Sequence, residues 1–88
     1  MYCLKLNDRA FFGKTINDCV NQVASVDHYQ VKDDTWRITV SLKDSSHFFG
    51  REVHFRSPSE KLLQEEKDKY AFAVIESLFG GTFYKRLM

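Results

Sequence analysis

From Thr35 to Leu42 the chain alternates. Trp36, Ile38, Val40 and Leu42 share one parity, and Arg37, Thr39, Ser41 and Lys43 share the other. A period of two puts the two sets on opposite faces of a strand. The β-branched and aromatic residues suit a pleated, half-buried surface. This stretch is the expected central strand of a small antiparallel sheet, with Trp36, Ile38, Val40 and Leu42 facing inward.

The rest of the pattern is read from that strand. Tyr2 to Leu6 predicts a short strand, with Tyr2, Leu4 and Leu6 on one face and Cys3 and Lys5 on the other. Asn7-Asp8-Arg9 is a turn cluster. Ala10-Phe11-Phe12-Gly13 fits either a brief strand or a loop anchored by its aromatics. In Thr15 to Val26, the residues Ile16, Cys19, Val20, Val23 and Ala24 recur at helical spacing. Thr15 stands at the N-cap position, and Asp18 suits the positive end of the helix. His28 to Lys32 predicts a strand with Tyr29 and Val31 inward, turned by Asp33-Asp34. Phe48 to Arg56 predicts the next strand, with Phe49, Val53 and Phe55 on one face and Glu52, His54 and Arg56 on the other. Gly50 suggests a bulge in it, or a later start. Ser57-Pro58-Ser59-Glu60 predicts a helix capped by Ser57. That helix runs to about Leu78 or Phe79 and stops at Gly80-Gly81. Its core stripe is Leu63, Tyr70, Ala71, Val74, Ile75 and Leu78. No element is assigned to Thr82–Met88.

The resulting order is β-α-β-β-β-α. It predicts an α+β fold in which two helices pack on one face of a small antiparallel sheet and the first strand adds to an edge. Residues 1–88 form one expected domain. A hydrophobic content of 43%, with eight Phe, four Tyr and one Trp, is enough for one core. The net charge of +1 gives no global attraction to nucleic acid or membrane. Cys3 and Cys19 fall at strand and helix core positions and read as small buried hydrophobes rather than a disulfide framework. The first residues lack the basic-then-apolar pattern of a signal peptide. The longest apolar run, Tyr70 to Ile75, is too short to span a bilayer. The cytoplasm is therefore the expected compartment, with no membrane association.

Few residues point to chemistry. Phe12-Gly13-Lys14-Thr15 has the end of a phosphate-binding loop, but Asp8 stands where the first glycine is needed. His28, His47, His54, Cys3 and Cys19 lack metal-ligand spacing. Cys19 lies mid-helix, away from any activating base. Asp33-Asp34 and Glu65-Glu66 are adjacent pairs without the facing arrangement that splits carboxylate pKa values. Neither an enzyme nor a cofactor or metal is expected.

From the first helix onward, α-β-β-β-α resembles the double-stranded RNA-binding domain, and Tyr70 to Leu78 is similar to that family's alanine-rich second helix. The resemblance implies RNA binding through a lysine cluster at that helix's start. Here the turn reads Ser57-Pro58-Ser59-Glu60-Lys61-Leu62-Leu63-Gln64-Glu65-Glu66, which is net acidic, and the glycine-rich loop is absent although His47 lies near its place. A member with this turn would bind protein rather than RNA. In size and character the chain also resembles small phage-encoded inhibitors, including anti-CRISPR proteins, which act by occluding a surface.

Two surfaces are candidates. Phe72 and Phe79 fall together on one edge of the second helix, and Phe83 and Tyr84 follow it. They form an expected protein-binding site for an inhibitor or adaptor, unless the tail folds back over them. A homodimer through the same residues is the alternative occupant. The outer sheet face, with Arg37, Lys43, His54 and Arg56, is the alternative nucleic-acid site.

Overall fold

The computed structural model describes residues 1–44 and 47–85. Its elements are β1 (Tyr2–Leu6), β2 (Arg9–Gly13), α1 (Ile16–Val23), β3 (Ala24–Lys32), β4 (Thr35–Leu42), β5 (Phe48–His54), α2 (Glu60–Ser77) and β6 (Thr82–Lys85). The class is α+β, as the pattern predicts. The strands form two three-stranded antiparallel sheets, however, in the orders β2-β1-β6 and β3-β4-β5. The first strand does not join the edge of the meander. It is the centre of its own sheet, between its hairpin partner and the strand that follows α2.

The hairpin between β1 and β2 turns at Asn7-Asp8, where Asn7 takes a left-handed φ of 56°. Asparagine tolerates this conformation better than most residues. Opposite each other on the inner face are Leu4, Phe11 and Phe83. α1 follows β2 directly. Thr15 caps it through a complete capping box: the Thr15 hydroxyl accepts from the Asp18 amide at 3.2 Å, and the Asp18 carboxylate accepts from the Thr15 amide at 3.1 Å. Cys19, Val20 and Val23 face the core.

α1 ends earlier than Val26. Ala24 is both its C-cap, in extended conformation, and the first residue of β3. Pairing with β4 explains the early stop. Ala24 lies opposite Leu42 and Val26 opposite Val40, and a helix rich in Asn and Val has little intrinsic propensity to continue. The start at Ala24 fixes the register and so inverts the expected face of β3. His28 and Gln30 share the inner face with Ile38 and Trp36, whereas Tyr29 and Val31 are exposed. The register shift in this sheet lies between Gln30 and Lys32. The pairing of β4 with β5 runs unbroken past Gly50.

α2 is capped by Ser59, whose hydroxyl accepts from the Leu62 amide at 3.2 Å, rather than by Ser57. Leu63, Ala71, Val74 and Ile75 are buried as the stripe predicts, while Leu78, the C-cap, is exposed. Gly80 adopts φ 73° and ends the helix. Gly81 is tight for another reason: a Cβ there would lie 2.6 Å from Ile75 Cγ2 and 3.0 Å from Leu4 Cδ1.

One cluster joins Leu4 and Leu6 of the first sheet, Val20 and Val23 of α1, Val40 of the second sheet, and Val74 and Ile75 of α2. A second, smaller cluster of Ile38, Val53 and Leu63 packs with Trp36, Phe55 and Tyr70. Each fully buried aliphatic side chain contributes roughly 1.5–3 kcal/mol relative to exposure. Both cysteines are buried and free.

Candidate interaction surfaces

The four aromatics expected to form one site go to three places. Phe72 stacks on Phe83, with centroids 4.5 Å apart and planes at 21°. Phe79 meets Phe49 of β5 edge-on at 5.4 Å. Phe79 and Phe83 are half-buried against the main core. Residues 82–85 therefore fold back, as a strand, and residues 86–88 of the expected tail lie outside the described residues. Tyr84 alternates to the other face of β6, is 49% exposed, and has the Lys5 ammonium 5.9 Å from its ring centroid.

Phe72 also borders an apolar groove of about 470 Å³ with Tyr2, Thr15, Ile16, Asn17, Asp68 and Lys69. Its charged lining, Asp68 and Lys69, is one of each sign.

The expected basic face is only partly assembled. On the outer face of β3-β4-β5, Tyr29, Arg37 and Glu52 form one cross-strand row, Asp27, Thr39 and Gly50 the next, and Lys32, Thr35 and His54 a third. Arg37 lies across the space left by Gly50, and its Nη1 is 3.8 Å from Glu52 Oε1. His54 Nδ1 is 3.2 Å from the Thr35 hydroxyl, and Thr35 is buried. The rows carry Arg37 and Lys32 against Asp27 and Glu52, so the face is balanced rather than basic. Lys43 lies beyond the end of β4, and its backbone amide donates to the Val23 carbonyl at 2.9 Å. Arg56 lies in the bend after β5, exposed.

The outer face of β2-β1-β6 carries less charge, although β3-β4-β5 also turns aromatics outward, at Tyr29 and Phe48. An antiparallel sheet with one packed face usually turns polar residues outward. Here the register puts Phe12, Cys3 and Tyr84 in one outward row across three strands. Phe12 is 42% exposed. Cys3, between the two aromatics, is only 3% exposed. The adjacent row is Ala10, Lys5 and Thr82, in which Lys5 is the single charge. Sequence reasoning missed this row because it left Ala10–Gly13 open between strand and loop and gave Thr82–Lys85 no element. Once both are strands, Phe12 must oppose Phe11, and Tyr84 must oppose Phe83.

Among the described residues, no group of three or more His, Cys, Asp or Glu is placed to hold a metal ion, and no helix is long and apolar enough to cross a membrane. Comparison with protein-family models, with curated proteins and with solved structures finds no match.

Proposed function

We propose that this chain is a non-catalytic protein-binding module whose working surface is the outer face of β2-β1-β6. One observation carries the reading: Phe12, Cys3 and Tyr84 occupy outward sheet positions that solvent-facing strands ordinarily fill with polar residues. Aromatic side chains are enriched at protein interfaces, where one rigid ring buries much area at little entropic cost. A face of this kind acts by covering a partner's surface, as an inhibitor or adaptor does, including the small phage-encoded inhibitors that the chain resembles in size. The charge balance around Arg37 favours protein over nucleic acid, because a phosphate-binding face needs an excess of cations.

The test is capture from a lysate of the source cells, with and without nuclease, using the native chain and a Phe12→Ser, Tyr84→Ser double variant. A defined protein retained by the native chain, insensitive to nuclease and lost from the variant, is the expected result. Nuclease-sensitive capture, or capture indifferent to both substitutions, would refute the reading.

A further inference from the structure

A second recess lies where the turn of β1-β2, the end of α1 and the end of β4 meet. Its volume is about 430 Å³. The apolar part of its wall is Leu6, Phe11, Val23 and Leu42, one residue from each of four elements. Arg9 and Lys43 bring positive charge to the lining, and Asp44 is the one carboxylate among its described residues. The Arg9 guanidinium carbon lies 5.1 Å from the Phe11 ring centroid, so the charge is held beside the apolar wall. Its ion pair with Asp44 is long, at 3.8 Å, and both side chains are largely exposed, at 70% and 91%. Such pairs add little to stability, so the pairing gives no strong structural reason for gathering these charges here. The carbonyl of Val23, at the negative end of α1, accepts from the Lys43 amide at 2.9 Å, which ties the start of the Lys43 side chain to this wall.

We infer that this recess binds a small amphipathic carboxylate, with its apolar chain against Phe11 and Leu42 and its carboxylate between Arg9 and Lys43. An apolar wall beside a few convergent polar groups is a common form of small-ligand site, and this recess joins its four apolar residues to Asn7, Gln22 and the charged groups. Two cations against one weakly held carboxylate give the site its sign. Guanidinium suits a carboxylate because its donors match the two oxygens. This site is independent of the outer sheet face, and either assignment can fail without the other.

The test is an amide-resolved NMR titration of the full chain with sodium octanoate and, separately, with octan-1-ol, which has the same chain length and no charge. Octanoate should give saturable shifts centred on Leu6, Phe11, Val23 and Leu42, and octan-1-ol much weaker ones. Arg9→Gln should weaken octanoate by roughly tenfold, the equivalent of losing one charge-assisted hydrogen bond, and Lys43→Gln should weaken it in the same direction. Asp44→Asn should tighten binding, because it removes the competing carboxylate. All three positions are exposed, and the dispersion of each variant's own spectrum verifies its fold. Equal shifts from octanoate and octan-1-ol would overturn the assignment, as would octanoate binding unchanged in Arg9→Gln or shifts scattered over the whole chain. A peptide with a free C-terminal leucine that binds the recess more tightly than octanoate would overturn the small-acid assignment in favour of a peptide terminus.

Discussion

Phe83, on the last described strand, stacks on Phe72 in the middle of α2. The contact fastens β6 to the helix as well as to β1. Phe83→Ala should therefore destabilise the protein by about 2 kcal/mol, through lost burial and a lost aromatic pair. Tyr84→Ala, one residue on but outward, should cost less than about 1 kcal/mol. Urea denaturation of the two variants checks the difference. Equal losses would mean that β6 does not alternate as described.

Gly50 and Arg37 form a second coupled pair. A Cβ at position 50 would lie 2.6 Å from an Arg37 guanidinium nitrogen, so Gly50→Ala must push that side chain off the sheet. The net change should be small, within about 0.5 kcal/mol, because the displaced group is the far end of a flexible side chain and alanine itself suits the strand. In an Arg37→Ala background the same change should be neutral or stabilising, because alanine suits a strand better than glycine. A double-mutant cycle with no interaction energy would show that the two residues are not coupled.

The helix caps separate the structure from the simplest reading of the sequence. Thr15→Ala and Ser59→Ala should each cost about 1 kcal/mol. Ser57→Ala should change stability by less than about 0.5 kcal/mol, since Ser57 lies outside the cap. Thermal unfolding of the three variants is sufficient, and a loss at Ser57 matching that at Ser59 would place the helix start earlier.

Alkaline pH should weaken the fold. Burial, with smaller contributions from Cys3 and Asp18 and against a backbone hydrogen bond at Leu4, pushes the Cys19 thiol above its usual 9.0. Burial likewise raises Tyr70 above 10.0, opposed by Arg37 and Arg51. The unfolded chain ionises first in both cases, so it holds fewer protons than the native state in this range. Stability from these groups is complete below their ordinary values and declines as pH rises through the raised ones. Denaturant midpoints measured across that range should fall. Cys19→Ala should flatten the first part of the decline, and Tyr70→Phe the later part. An unchanged profile in both variants would locate the alkaline sensitivity elsewhere.

Much of the second sheet was legible in the chain. The central strand runs from Thr35 to Leu42 as its alternation predicts, and the α2 stripe is correct up to Leu78. Local periodicity carries both signals. The face of β3 was not legible, because a one-residue difference in register exchanges its two sides and the register depends on where α1 gives way at Ala24. The existence of a separate first sheet was not legible either. β1 has partners on either side of it in space, one from its own hairpin and one from beyond α2, and no period in Tyr2–Leu6 announces the second. Of the expected site residues, Tyr84 lies on the surface now proposed. Phe12 was hidden in the ambiguity of Ala10–Gly13, and Arg37 was offset by Glu52 across the strand pair.

The partnership of β1 with β6 also bears on how the protein is made. Tyr2 lies opposite Lys85, and Lys5 opposite Thr82, so the first sheet joins nearly the whole length of the described chain. Pairings of such wide sequence separation form late, because a long loop must close before they return any stabilisation. During synthesis β1 and β2 emerge early, yet their sheet cannot be completed until residues 82–85 have left the ribosome. Through that interval β1 presents an unpaired edge beside Cys3 and Phe12, the kind of exposed strand that other chains can join. Faithful production of this small domain depends on how quickly its closing strand arrives.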